Sequence, residues 1–399
     1  MRISTQMIHD GGLNAIQRQQ SELFKLQQQI GSGRRILTPS DDPVASSRAV
    51  VVSQAQATAQ QHARNTGAAK DYLSAIESAV AELGTIVVGA KTLAIAGGNP
   101  TQSDADRATL AQDLRGKFQQ LMAQANTQDG SGSYLFSGYA ETTQPFSGSL
   151  GAVVYNGDAG EREVQVSDSR KMPVTLNGAS LFQSIKNGNG VFATSAAASN
   201  TGAGVISGGR VLNPPAWNGD DYEIRFSSAA TYDVVNTTTA TTVSSANAYA
   251  SGGAIAFSGV QVEITGAPQA GDVFTLQPST NQSVFETFNN LIKTLESPVT
   301  GAPAQAQLRN GLNRALGDLD RVLDQTLGAR TLVGARQSEL DSVSFSNEDY
   351  LLRRSVELGE LINLDYAKAT SDLSRQLITL EAAQRSYVKI TRLSLFDLI

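Results

Sequence analysis

No cysteine occurs in the 399 residues of the chain, which excludes disulfides and thiolate chemistry. Imidazole is limited to His9 and His62, too few for a multi-histidine metal site and a poor basis for histidine catalysis. Aromatics are only 6%, with one tryptophan, Trp217. Basic residues number 31 against 37 acidic ones, for a formal charge of -6 and a pI near 5.1. That balance argues against nucleic-acid binding. The pairs Arg34-Arg35 and Arg353-Arg354 read as solvated helix or turn residues. The segment Met1-Arg2-Ile3-Ser4-Thr5-Gln6 lacks the apolar core of a cleaved secretory signal, and no stretch reads as long enough to span a membrane. By those rules the chain reads as cytoplasmic, although a route that recognises an uncleaved N-terminus leaves no such trace. His-Glu-x-x-His, Gly-x-x-x-x-Gly-Lys-Ser/Thr and Gly-x-Ser-x-Gly are all missing. Asp220-Asp221 reads as a turn, and Gly97-Gly98 and Gly252-Gly253 as loops. We therefore expect no enzyme, no cofactor and no metal.

What the chain does have is two amphipathic ends. From Leu352 to Ile399, the residues Gly359, Ile362, Tyr366, Ala369, Leu373, Leu380, Ala383, Tyr387 and Ile390 recur mostly three and four apart, a helical seam of near-heptad spacing. A partial second stripe runs through Leu358, Leu361, Leu377 and Val388. Near the other end, Leu13, Ile16, Leu23, Leu26 and Ile30 share one helical face among glutamines. Such faces need partners. The simplest burial packs the two stripes together and against copies in neighbouring molecules. An intramolecular helical hairpin is the plainer alternative.

Between them the chain divides into an N-terminal assembly helix and turn (1-42), a first helical rod segment (43-140), an inserted β domain (141-282), a second rod segment (283-350) and a C-terminal assembly helix (351-399). Gly31-Ser32-Gly33 ends the first helix. Asp42 reads as an N-cap with Pro43 at the first helical position. The helix from Val44 to about Ile95 would reach about 75 Å if unbroken. Ser103 opens a further helix ending near Gly130. From Glu141 to Gln282 only five leucines occur in 142 residues, against 32 in the flanking 257, and period-two patterns appear. Tyr222, Ile224 and Phe226 alternate with polar residues, as do Val260, Val262 and Ile264. Val153-Tyr155 and Glu163-Val166 are predicted to pair as a hairpin through Asn156-Gly157. Asn236 to Ser245 reads as an exposed loop. Ser283 and Glu286 form a capping-box pattern. The leucines from Leu308 to Leu327 then resume a helix, broken before it by Pro298 and Pro303 and loosened after it by Gly328, Gly334 and residues 342-346. The predicted class is mainly α with an inserted all-β domain: the N- and C-terminal helices pair into an elongated bundle or coiled coil, with the β domain at its far end.

The segment Ile30 to Ala45, with Gly33, Arg34, Pro39, Asp41, Asp42 and Pro43 as its signature positions, resembles the N-terminal signature of the flagellin superfamily, in the proline-flanked form of its hook-filament junction members. Tyr134, Leu135, Phe136, Ser137 and Gly138 are similar to that family's motif at the edge of the β domain. Leu393-Ser394-Leu395-Phe396-Asp397-Leu398 resembles its C-terminus. Gly271-Asp272-Val273-Phe274 is weakly similar to β domains of hook-associated proteins. The resemblance covers both helical segments, about two thirds of the chain. It implies a bacterial axial protein exported by the flagellar type III apparatus and assisted by a chaperone at the C-terminal helix. The protein would form a homo-oligomeric ring between the first hook-associated protein and flagellin, with an extracellular location at the hook-filament junction and no membrane span. Pro39, Pro43 and the ending Phe396-Asp397-Leu398-Ile399 depart from filament flagellins.

The leading expectation is thus a junction adaptor whose assembly interface is Leu13, Ile16, Leu23, Leu26, Ile30, Ile362, Tyr366, Leu373, Leu377, Leu380, Tyr387 and Ile390. A filament flagellin subunit is the nearest alternative. A stalked adhesin is a second, with Trp217, Tyr222 and Tyr232 as glycan contacts unless they pack in a core.

Overall fold

A computed structural model describes residues 5–392; the Leu393 to Leu398 resemblance lies outside them. The helices are α1 (Thr5–Ser32), α2 (Pro43–Gly97), α3 (Asp104–Ala125), α4 (Gly178–Phe182), α5 (Val284–Glu296), α6 (Gly301–Ile362) and α7 (Tyr366–Arg392). The strands before the main β core are β1 (Phe146–Ser149), β2 (Ala152–Tyr155), β3 (Glu163–Ser167), β4 (Arg170–Pro173) and β5 (Ile185–Lys186). Next come β6 (Phe192–Ala196), β7 (Val205–Ile206), β8 (Arg210–Val211), β9 (Tyr222–Ser228) and β10 (Thr231–Asn236). The last are β11 (Thr241–Ala248), β12 (Ala254–Phe257), β13 (Val260–Thr265), β14 (Val273–Pro278) and β15 (Asn281–Gln282). Two compact units result, one made of the chain up to Asn65 and from Ser342 onward, the other of Thr66–Asp341.

In the first unit α1 and α7 lie side by side. The His9 and Tyr387 rings meet edge to face at 5.8 Å, and a Cβ on Gly12 would stand 2.7 Å from the Tyr387 ring, so glycine permits the approach. The intramolecular pairing considered as the plainer alternative is therefore present. The C-terminal seam is not one helix, as its spacing suggested. It breaks at Asn363–Asp365, because Arg34 and Asn363 form an antiparallel bridge and the Asp365 side chain caps α7 by accepting from the Lys368 amide at 3.0 Å.

In the second unit the apolar stripe of α2 is fully buried at Leu73, Ile76, Val80, Leu83 and Val87. Lys70 to Asp341 (2.6 Å) and Glu77 to Arg330 (2.9 Å) tie α2 to α6. By length and composition α2 could cross a membrane, which corrects the reading that no stretch reaches span length. Its stripe from Leu73 to Val87 is packed into the helical core. Ser103 and Asp106 form a complete capping box on α3, which ends at Ala125 rather than near Gly130. On α5 the structure shows the serine half, Ser283 Oγ accepting from the Glu286 amide at 3.1 Å. α6 runs unbroken through Gly328 and Gly334, held by Val333 and Leu340, both fully buried.

The predicted hairpin through Asn156-Gly157 does not form. β2 pairs back onto β1, and β3 pairs with β4. The Asn156 amide donates to the Pro145 carbonyl at 2.7 Å, and its side chain to Ser147 Oγ at 2.8 Å, so Asn156 closes the β1–β2 pair and the chain turns away after it. An aromatic cluster joins this region to the helices, with Phe146 5.1 Å from Phe182 and 5.2 Å from Phe285, and Phe118 of α3 6.1 Å from Phe285. A second core belongs to the β domain proper. There an antiparallel five-stranded sheet, β11-β10-β9-β14-β6, accompanies a smaller one, β12-β13-β7, with β8 on β13. The alternating residues read from the sequence, Tyr222, Ile224, Phe226, Val260, Val262 and Ile264, all face its core. Asn236 to Ser245 is no loop but the tip of the β10–β11 hairpin.

Candidate assembly site

The signature positions from Gly33 to Pro43 are drawn together in the first unit as a knot where four helix ends meet. Gly33 takes φ +70, and a Cβ there would lie 2.9 Å from the Tyr366 hydroxyl, so both backbone and space require glycine. Its carbonyl accepts from the Leu364 amide at 2.9 Å, and the Arg35 amide donates to Ile362 O at 2.8 Å. This two-bond bridge spans the break between α6 and α7. The Arg35 guanidinium then reaches Leu361 O (2.8 Å) and Asp42 Oδ2 (3.2 Å), so the terminal carbonyls of α6 meet a cation. Asp42 Oδ1 accepts from the Ala45 amide at 2.9 Å with Pro43 opening α2, as expected of a cap. Arg34 enters through its backbone bridge to Asn363.

Asp41 is the second half of the knot. Its Oδ2 accepts from the Leu37 and Thr38 amides, each at 2.9 Å, and its Oδ1 lies 2.6 Å from Lys25 Nζ on α1. The lysine first, then the two amides, hold its carboxyl far below the usual aspartate range. The Asp41 amide returns to Thr38 O at 3.0 Å, making a turn with Pro39 at its second position, where proline's fixed φ fits. Asp42 is lowered too, chiefly by the Ala45 amide and then by Arg35. Both acids thus serve as cap and turn, and among the described residues no group of three metal-capable side chains exists.

From this knot α1 and α7 project with an incompletely covered seam. Leu26 is buried, while Ile16, Leu23, Ile30, Ile362, Leu373, Leu380 and Tyr387 are half-buried. Leu13, Tyr366, Leu377 and Ile390 stay about half exposed, at 47%, 53%, 48% and 50%. Further apolar side chains that the stripe did not include are more exposed still: Phe24 at 61% and Ile378 at 68%. Their signal in the sequence was an apolar residue on the polar face of each helix.

Tyr134 to Gly138 lies in the second unit. Leu135, Phe136, Ser137 and Gly138 are buried. Gly138 takes φ +74, where a Cβ would collide with Asp158. Asp158 Oδ1 accepts from the Tyr139 amide (2.9 Å) and the Gly160 amide (2.7 Å), and Tyr155 Oη lies 3.0 Å from Phe136 O. Phe136 stacks edge to face on Phe182 at 5.3 Å. The motif therefore plugs the β1–β2 region onto the helical core.

The contacts of both motifs hold backbone segments in place, and known proteins of similar sequence are flagellar components. The model of the bacterial flagellin N-terminal helical region matches residues 3–141, and that of the flagellar hook-associated protein 1 D2-like domain matches 195–278. Flagellar hook-associated protein 3 of Salmonella typhimurium is 28% identical over 401 residues, covering 100% of this chain and 99% of that protein. The crystal structure of hook-associated protein 3 from Legionella pneumophila is 31% identical, covers 78% of this chain and 98% of that one, and superposes with a TM-score of 0.74.

The chain belongs to the flagellar hook-associated protein 3 family.

FlgL from Xanthomonas campestris is similar in the same way, at 29% identity and a TM-score of 0.72, over 77% of this chain and 99% of that one. Family membership makes this a structural component of the bacterial flagellum with a junction role. The three aromatic residues of the adhesin alternative all pack on the β core, Tyr222 buried and Trp217 and Tyr232 half-buried. Tyr222 is 2% exposed, Trp217 lies 5.6 Å from Phe192, and Tyr232 lies 5.9 Å from Phe226.

Proposed function

We propose that the chain is a mechanical adaptor that polymerises through α1 and α7, forming a ring between the first hook-associated protein and flagellin. The observation that carries this reading is the contrast within the first unit. The knot from Gly33 to Pro43 is closed by hydrogen bonds and two ion pairs, yet the paired helices beside it leave Leu13, Phe24, Leu377, Ile378 and Ile390 about half exposed or more. Leaving that much apolar surface uncovered is unfavourable, and neighbouring copies would cover it. The same exposed helices suit capture by an export chaperone at α7 before assembly, and a chain free of cysteine suits unfolded passage through a narrow export channel. The twelve seam residues serve as the contact set and the signature residues as the frame that aims them. Catalysis has no part in the mechanism.

Hydrogen exchange on the full chain tests this. In dilute monomer, α1 and α7 should exchange fast relative to α2 and α3, and become protected once the protein caps purified hooks. Equal protection in the monomer would mean the seam is already satisfied and would remove the basis for polymerisation through it.

A further inference from the structure

One face of α6 carries polar residues at helical spacing, Gln307, Asn310, Arg314, Asp318 and Gln325, and nearly everything they touch is main chain. Gln307 Nε2 donates to Ala197 O at 2.8 Å. Asn310 donates to Gly204 O at 3.0 Å and accepts from the Ile206 amide at 2.9 Å. Arg314 Nη2 reaches Thr194 O at 3.4 Å, and Gln325 Nε2 reaches Ser180 O at 3.0 Å. Asp318, 4% exposed, accepts from the Gly188 amide at 2.8 Å and from Gln282 Nε2 at 3.1 Å.

The positions Asp318 holds are the neck of the β domain. The chain enters that domain through β5 and leaves through β15, and these two short strands pair with each other, Asn281 with Lys186 and Gln282 with Ile185. Asn187 and Thr280 continue the neck with a side-chain bond of 3.2 Å. One carboxylate therefore holds the inbound and the outbound strand together. Beside the stripe lie two cavities of about 170 Å³ and 390 Å³, which share Ser195, Asn310 and Arg314 in their walls. The apolar residues of the same stretch of α6, Leu308, Leu312, Ala315, Leu319 and Val322, are buried. Leu312 faces the turn just after α2, its Cδ1 lying 3.4 Å from where a Cβ on Gly98 would stand.

We propose that this stripe is a latch: the β domain from Phe192 to Leu276 is a separately folded body that swings on the β5–β15 neck, and Asn310 and Asp318 hold it in one seat on α6. Three features support a latch over a permanent seam. The contacts are hydrogen bonds that water can replace, so each contributes little net free energy. The flanking cavities, whose walls include Ser195, Asn310 and Arg314, have room for that water. The β core is complete without α6, since its thirteen buried residues all come from Phe192 to Leu276. Short paired segments at the ends of a rigid body are where hinge motion is absorbed.

The test uses the full chain, whose lack of cysteine permits a clean spin-label pair at Thr242→Cys on β11 and Gln120→Cys on α3, both exposed. The parent should give one narrow distance distribution. Asn310→Ala with Asp318→Ala should give a broad or two-peaked one, while the emission of Trp217, the single tryptophan, keeps the parent's wavelength. An unchanged distribution would show that the stripe does not set the seat. A shift of Trp217 emission to the solvent value would show that the stripe folds the domain rather than latching it. Either result overturns the proposal.

Discussion

At the residue scale the signature of the first unit reduces to steric and electrostatic necessity. Gly33 combines a left-handed backbone with a tyrosine hydroxyl at the place its Cβ would occupy. Gly33→Ala should therefore cost about 1–3 kcal/mol in the first unit and speed exchange of the Arg35 and Leu364 amides, measured by hydrogen exchange. The two unusual aspartates predict opposite pH behaviour. Asp41 is held below its ordinary 3.8 by Lys25 and two amides. Its contribution is therefore present above 3.8 and lost as pH falls through the lowered value. Asp41→Asn should melt lower than the parent at about pH 7 and converge with it as the pH falls well below 3.8. Asp318 is raised above 3.8, first by burial, with the Gly188 amide and Gln282 only partly offsetting it. Its folded form holds the proton more tightly, so stability from this group is lost as pH rises from 3.8 through the raised value. Asp318→Asn, which keeps an acceptor for the Gly188 amide, should remove that loss; thermal melts across the acid range would show a flatter limb for the variant.

At the element scale the amphipathic helices and the alternating strands were legible because one face of each is buried against its own chain. Leu73, Ile76, Val80 and Leu83 at helical spacing and Tyr222, Ile224 and Phe226 at period two could take few other forms. The break at Asn363–Asp365 was not legible. Ile362 and Tyr366 stand four apart across it, as in an unbroken helix, and the break is made by pairing with Gly33 to Arg35, far away in sequence. The polar stripe of α6 was equally hidden, since Gln307, Asn310, Arg314 and Asp318 have the spacing of a solvated face. Asn156-Gly157 misled because turn propensity is local, whereas its strand was taken by β1. Gly328 and Gly334 misled in the other direction: a glycine costs a helix about 1 kcal/mol, and tertiary packing around Val333 and Leu340 outweighs it. For the seam itself, Leu380→Asp puts a charge on a half-buried position of α7. It should abolish or strongly weaken polymerisation and weaken chaperone binding, leaving Trp217 emission unchanged. Normal capping of hooks by this variant, scored by sedimentation, would contradict the seam assignment.

At the scale of the whole molecule each unit has its own task. The first carries a rigid knot and an open seam. The second carries two cores, one aromatic and helical and one all-β, that are complete without any neighbour. The family assignment rests on similarity running the full length of the chain, through the β domain as well as the helices, which a shared flagellin-like start alone would not give. A filament role and an adhesive role both make different demands: the first on copy number, the second on exposed aromatic contacts, whereas this β domain buries Tyr222 and half-buries Trp217 and Tyr232. The measurement that bears most directly on the central claim is electron microscopy of cells lacking this gene, paired with an assay for flagellin in the medium. A junction adaptor predicts hooks without filaments and flagellin shed as monomer. Filaments of normal length on those cells would contradict the account, and bare hooks with no flagellin shed would make this chain the filament subunit.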